Sequence, residues 1–259
     1  MDEFLIQKKG DFEYSEVGNE GKEILVLLHG LFGTASNFDE TMRYFQNDYK
    51  IFLPILPIFK MNVRKLSVYS LMEYVKSFTD FMGIKSFHVI GNSLGGHLAL
   101  LYALNYQDEL KTMTLTGSSG LYESAFGNTF PRRGDKDFIR KKITLTFYDE
   151  NVATDEMVDE VFDITSDTMK CLKMVKTAKS AIRHNVGDQL SKIKIPTLLV
   201  WGNQDTITPP FVAEEFHSKL PNSTLEFIDK CGHAPMLETP EEFNQVLEKF
   251  LSKNTVDTE

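Results

Sequence analysis

An α/β architecture, a mostly parallel sheet with helices on both faces, follows from three features of this 259-residue sequence. Short apolar runs bounded by glycine and proline alternate with amphipathic stretches of helical period, the pattern of strands joined by crossover helices. One such run, Phe87-His88-Val89-Ile90, opens into Gly91-Asn92-Ser93-Leu94-Gly95 and then into an apolar helix, so a serine stands at a sharp strand-to-helix turn. The alternation breaks once, over residues 121–189, where amphipathic helical segments carry little strand signal.

Taken in order, residues 4–8 and 11–17 read as an antiparallel hairpin with Gly10 in its turn. Gly21 precedes Ile24-Leu25-Val26-Leu27-Leu28, an unbroken apolar run suited to a strand buried on both faces, which ends at His29-Gly30-Leu31-Phe32-Gly33. A helix is expected around residues 38–45, a strand over 49–55 and a loop from Pro54 to Pro57. Ser70-Leu71-Met72-Glu73 has capping-box spacing and starts a helix that runs through Met82. The Ser93 strand and its helix follow, then a strand over 110–116 ending at Gly117-Ser118-Ser119-Gly120.

Pro131-Arg132-Arg133-Gly134 breaks the chain inside the insertion. Thr154 then caps a helix whose first turn carries Asp155 and Glu156, where the helix dipole favours acids. Phe162, Met169, Leu172, Met174 and Val175 are expected to supply an apolar face. After Pro196 the alternation resumes with a strand over 198–201, a helix over 211–220 and a strand over 224–228. The last helix opens at Thr239-Pro240-Glu241-Glu242, with threonine at the cap and proline at the first position. Residues 252–259 are polar and expected to fray. The domain division is therefore a core of 1–120 and 190–259, interrupted by a helical insertion of 121–189.

Bulk composition narrows the function classes. Hydrophobic content of 42% and charged content of 25% are those of an ordinary water-soluble protein. A net charge of -9 argues against nucleic-acid and anionic-membrane partners and says nothing about substrate, because local charge in a cleft can oppose the total; a small-molecule substrate is the expected partner, with a homodimer as an option. The two cysteines, Cys171 and Cys231, lie far apart in no metal-like spacing and are expected to be reduced. The acidic Met1-Asp2-Glu3 start has no apolar signal core, so a cytoplasmic location is expected, with no metal and no cofactor.

A serine hydroxyl is a poor nucleophile until a base takes its proton, so a catalytic Ser93 needs a histidine oriented by a carboxylate. Of six histidines, His29 opens a turn, His88 sits in a strand, and His97, His184 and His217 fall in helical stretches. His233 alone follows the last strand, in Cys231-Gly232-His233-Ala234-Pro235, at the edge where ligands bind in such sheets. The strand before it ends in Trp201-Gly202-Asn203-Gln204-Asp205, making Asp205 the orienting acid. Backbone amides of Leu94 and of Leu31, with Phe32 as the alternative to Leu31, are the candidate oxyanion donors. Phe32, Asn92, Ser118, Phe147, Phe162 and Met174 are candidate substrate contacts, with Tyr148 beside them. Gly96 is expected to serve close packing and His97 a structural bond.

These residues resemble the α/β-hydrolase superfamily over nearly the whole chain. The resemblance rests on His29-Gly30 with Gly33, on Gly91-Asn92-Ser93-Leu94-Gly95-Gly96, on Gly202 with Asp205, and on Gly232-His233-Ala234-Pro235 with Glu238 and Pro240. It implies a Ser93, Asp205, His233 triad and makes the 121–189 insertion a cap domain. Gly91-Asn92-Ser93, Phe147-Tyr148-Asp149 and Thr154-Asp155-Glu156 are similar to the carbon–carbon bond hydrolases that act on aromatic ring-cleavage products. Two positions depart from that group: Val161 stands where those enzymes usually carry a cap arginine, and Ala234 where they tend to carry tryptophan. The Gly-Leu-Phe-Gly turn from Gly30 to Gly33 resembles small esterases instead. The expectation is a serine hydrolase of small or medium carboxylic esters, with carbon–carbon bond hydrolysis of a vinylogous diketone acid, or a non-catalytic ligand receptor, as alternatives. Arg132, Arg133, Arg140, Lys141 and Lys142 read as a solvated basic face.

Overall fold

Leu25, Val26, Leu27 and Leu28 are all fully buried, which requires a strand covered on both faces, and that strand (β3, Glu23–Leu28) is at the centre of the sheet. The computed structural model describes residues 4–32, 35–122 and 134–254; Gly33, Arg132 and Arg133 lie outside the described residues. Among those described, eight strands form one sheet: β1 (Gln7–Lys9), β2 (Phe12–Val17), β3, β4 (Tyr49–Pro54), β5 (Phe87–Asn92), β6 (Leu110–Thr116), β7 (Thr197–Gly202) and β8 (Ser223–Ile228). Their order across the sheet is β1-β2-β4-β3-β5-β6-β7-β8. The β1–β2 and β2–β4 pairs are antiparallel and every other pair is parallel.

Alternation along β3 divides the core in two. Val26 and Leu28 face the cluster covered by α2 (Val68–Met82), α3 (Leu94–Tyr106) and α7 (Pro210–Lys219). Leu25 and Leu27 face the other cluster, covered by α1 (Asp39–Phe45) and α9 (Pro240–Asn254). Helix α3 is buried from Leu94 to Ala103, which accounts for its apolar residues on all sides. Three further helices, α4 (Lys136–Thr144), α5 (Asp155–Ser166) and α6 (Thr168–Arg183), lie between β6 and β7. The short α8 (Pro235–Glu238) precedes α9.

Several boundaries differ from the sequence expectation. Strand β1 is only three exposed residues, with Leu5 and Ile6 in solvent before it, in keeping with an edge strand kept short. Helix α2 starts at Val68 because Ser67, not Ser70, is its cap: Ser67 Oγ accepts from the Ser70 N–H (3.0 Å) and Ser70 Oγ from the Ser67 N–H (2.9 Å). Glu73 instead accepts from the Tyr106 hydroxyl (3.2 Å). Thr154 caps α5 as expected, accepting from the Met157 N–H. The proposed apolar face does not form as one surface: Met174 is fully buried, whereas Met169 is 51% and Leu172 49% exposed, because α6 turns them away from the core. The tail stays helical through Asn254, and the Thr239 hydroxyl donates to the Pro235 carbonyl (3.3 Å). Cys171 and Cys231 are free, and burial pushes the Cys231 thiol up to about 12, leaving it protonated and unreactive.

Three buried histidines hold their places by hydrogen bonds as neutral rings. His88 bridges Thr112 Oγ1 (2.8 Å) and Glu23 (3.2 Å), and His97 Nε2 donates to the His184 carbonyl (3.0 Å). Burial lowers the pKa of His29, His88 and His97, that of His97 to about 4, with the bond to His184 opposing it. Since the unfolded imidazole titrates near 6.5, the unfolded chain binds the proton first. His97 stability is therefore fully present above 6.5 and drains as pH falls toward 4, by up to about 3 kcal/mol. Urea unfolding from pH 7.5 to 4.5 should show a steep loss in the wild type and a shallower one in His97→Gln; equal slopes would refute this assignment.

Candidate active site

The carboxyl ends of β3, β5, β6, β7 and β8 lie on one edge because these strands are parallel, and the residues beyond them converge there. At the end of β5, α3 crosses back over the sheet at a distance only glycine allows. A β-carbon on Gly91 would stand 2.5 Å from the Gly95 carbonyl oxygen, and one on Gly95 would overlap the Leu28 backbone. Between them Ser93 is held at φ 54, ψ -117, outside the left-handed helical well, a conformation that costs about 1–3 kcal/mol. Its backbone is over-determined by the Ser93 N–H to Thr116 O bond (3.0 Å) and by the N–H groups of Ser119 (3.1 Å) and His97 (3.2 Å) donating to Ser93 O. The serine side chain makes no helix-cap bond.

Asp205 and His233 meet directly, His233 Nδ1 lying 2.9 Å from Asp205 Oδ2. The carboxylate is 3% exposed and accepts from the N–H groups of Ile207 (2.8 Å) and Thr208 (2.9 Å) and from the Thr208 hydroxyl (2.8 Å). Burial raises its pKa, but the charge and hydrogen bond of His233 and the Thr208 donors outweigh that and hold it below the ordinary value. Asp205 therefore stays ionised, and a Nδ1–H pointing at it leaves His233 Nε2 as the basic nitrogen. Thr208 is in turn fixed by the buried Trp201, whose indole N–H donates to its carbonyl (2.7 Å). Neither support was identified from the sequence; the Asp-x-x-Thr spacing of a side-chain-capped turn was the available signal.

The histidine loop is tied to the Ser93 elbow and to the insertion. Asn92 donates both amide hydrogens, to Thr116 O (3.1 Å) and His233 O (3.0 Å), so its role is to join the strand end to that loop. The ring of His233 rests on Gly117, where a β-carbon would lie 2.8 Å from Nδ1. Ser93 and the imidazole thus stand over adjoining strand ends. Glu238 accepts from the N–H groups of Gly232 (3.0 Å) and Ala234 (3.2 Å), on either side of His233, and from that of Tyr148 (2.7 Å). The His233 N–H donates to Thr146 O (2.9 Å) and the Thr206 hydroxyl to Leu145 O (2.7 Å), so the residues following α4 are bonded to both loops.

The turn after β3 lies against Ser93, a β-carbon on Gly30 standing 3.3 Å from Ser93 Cβ, with Leu31 and Phe32 half-buried beyond it. Leu94 is the first residue of α3, where the helix leaves its N–H groups without intrahelical acceptors. Of the other candidates, the Ser118 hydroxyl donates to Ser119 O (2.8 Å) and Met174 is sealed in the core, which leaves neither disposed toward a ligand. Phe147 and Phe162 are half-buried, Phe147 against the α9-side core. Arg140 pairs with Asp155 and Lys136 with Asp159 on an exposed surface. Among the described residues, no group of three His, Cys, Asp or Glu could hold a metal ion, and no helix is long and apolar enough to cross a membrane.

The family model for the alpha/beta hydrolase fold matches residues 23–147 and 128–240. The chain belongs to this family. A 2-hydroxy-6-oxononadienedioate/2-hydroxy-6-oxononatrienedioate hydrolase of Paraburkholderia phymatum is 29% identical over 93% of this chain and 90% of that protein. An uncharacterized hydrolase of Bacillus subtilis is 27% identical over 92% and 93%. Among solved structures, an alpha/beta hydrolase enzyme from the sediment metagenome of the Mar Chica lagoon, Morocco, superposes with a TM-score of 0.80 at 40% identity, over 96% and 98%. This alpha/beta hydrolase is accordingly an enzyme, and the Ser93 edge is its candidate active site.

The Glu238 clamp is testable on this hydrolase. Glu238→Ala strands three N–H groups and should cost about 2 kcal/mol in urea unfolding, whereas Glu238→Gln, which keeps acceptor oxygen, should lose less than half of that. Equal stability of the two variants would show that the carboxylate carries no structural role.

Proposed function

We propose that this chain is a serine hydrolase that cleaves a small or medium neutral carboxylic ester through an acyl-enzyme. The observation that carries the reading is the buried pair of ionised Asp205 and His233 at an edge where Ser93 is held in a strained turn with no helix-cap role for its side chain. Ser93 Oγ attacks the carbonyl carbon while His233 Nε2 takes its proton, and Asp205 stabilises the imidazolium that forms. The amides of Leu31 and Leu94 hold the oxyanion. The alcohol leaves with the proton from His233, and water activated by the same nitrogen releases the acid. Residues 121–189 act as a cap over this edge, with Phe32, Phe147 and Phe162 on the apolar side of the pocket, in a cytoplasmic enzyme that needs no cofactor.

A second reading, hydrolysis of a carbon–carbon bond beside a ketone, is favoured by the name of the Paraburkholderia relative, whose substrate is a dioate. Such substrates carry carboxylates that need cationic partners, and burying one unpaired costs several kcal/mol. Four described cations of the insertion are engaged elsewhere. Arg140 and Lys136 pair with acids, and Lys173 and Lys176 bind the carbonyls of Phe59 and Val63. Lys179 and Arg183 line a groove against the start of α2, and position 161 is a half-buried valine. This supports the neutral ester.

A fluorophosphonate should label Ser93 and stop turnover, with Ser93→Ala losing on the order of 10⁶ in kcat and Asp205→Asn roughly 10⁴. Labelling elsewhere, or an active Ser93→Ala, would refute the assignment. Between the two readings, kcat/KM for p-nitrophenyl butyrate should exceed that for a vinylogous diketone acid, and Val161→Arg should shift the ratio toward the acid. Wild-type preference for the acid would overturn the ester reading.

A further inference from the structure

We infer that His29 is a positioning residue of the oxyanion hole, its ring fixing the peptide that joins Gly30 to Leu31 so that the Leu31 N–H is held at the reacting carbonyl. The inference rests on the roles given above to Ser93 and Leu31. His29 is 4% exposed and directly follows β3. Its two ring nitrogens have different partners: the backbone N–H of Leu56 meets Nε2 at 3.0 Å, and Nδ1 lies 2.8 Å from the Gly30 carbonyl oxygen.

A backbone amide can only donate, so Nε2 is the unprotonated nitrogen. The ring proton then sits on Nδ1 and donates to Gly30 O. Burial keeps the imidazole below its ordinary range despite the opposing Gly30 bond, which holds this neutral tautomer. In a planar trans peptide the carbonyl and the following N–H point in opposite directions. Whatever fixes Gly30 O therefore fixes the Leu31 N–H, the two being ends of one rigid unit. The unit is anchored through the ring to Leu56, just beyond β4, and its glycine lies against Ser93. Without the ring, the Gly30 carbonyl is released and the peptide can rotate, so the donor must be ordered during the reaction and no longer before it.

His29→Phe keeps a planar ring and removes both nitrogens. On p-nitrophenyl butyrate, kcat should fall about 10- to 100-fold, less than or up to the loss of a whole oxyanion donor, with KM within about threefold. Affinity for a trifluoromethyl ketone, whose tetrahedral adduct on Ser93 puts its oxygen in the same hole, should fall by the same factor. A merely structural role would lower the unfolding midpoint and leave kcat and ketone affinity of the folded enzyme alone. Either of these staying within twofold of wild type overturns the inference.

If the variant does not fold, the wild type decides by ¹⁵N NMR. The expected result is a His29 protonated on Nδ1 and a Leu31 amide that moves downfield when the ketone adduct forms. A Nε2-protonated ring, or an unmoved Leu31 amide, overturns it. Failure of the wild type to hydrolyse the ester or to form an adduct at Ser93 would instead remove the serine hydrolase reading itself, and this inference with it.

Discussion

At the Ser93 elbow backbone crosses backbone with no room for a side chain, and the rest of the edge is arranged around that crossing. Gly91 and Gly95 let α3 start the moment β5 ends. The connection then leaves the intervening residue no ordinary conformation, and Ser93 takes a positive φ. Strain of this size persists only where surroundings over-determine it, and three backbone bonds from β6, the turn after it and α3 do so here. A β-carbon at either glycine would move the helix off the sheet and Ser93 with it, so the close approach, rather than the serine's own preference, positions the hydroxyl.

The other two groups of the proposed triad come from strands farther along the sheet, and side-chain bonds close the gap. Asn92, next to Ser93, reaches the His233 carbonyl; Glu238 grips the amides on both sides of His233. The residues after α4 add a third attachment, through Thr146 to the histidine loop and through Leu145 to the loop of Asp205. The inserted helices are thus bonded to both loops, so a displacement of α4 would be felt at the imidazole. This links substrate selection by an inserted cap, as proposed, to the geometry of proton transfer.

Electrostatics sorts the buried ionisable groups by the partners they find. Asp205 is buried yet ionised because four donors meet its two oxygens, more than offsetting the loss of water. His29 and His97 are buried against backbone groups and stay neutral, each a directional hydrogen-bonding ring. The same fold sets His233 and His88 beside acids and gives His29 and His97 backbone partners, which matches the different roles proposed for chemically identical side chains.

Much of this was legible in the sequence, for local reasons. Period-2 burial, unbroken apolar runs and glycines at the elbow determined the parallel sheet, the alternation of layers and the place of Ser93. Residues directly after strands in a parallel sheet must share one edge, and that determined Asp205 and His233 as candidates. Capping was less legible, since Ser67 and Ser70 compete for the same role and only the reciprocal bond chooses between them. The supports were decided by tertiary structure alone: Glu238 to Tyr148, Asn92 to His233, Leu56 to His29. Each joins residues 27 to 141 positions apart, or two chain segments whose approach depends on how the sheet stacks its helices. Sequence pattern records the period with which a segment meets the core, and it carries no mark of which distant amide a side chain will find there.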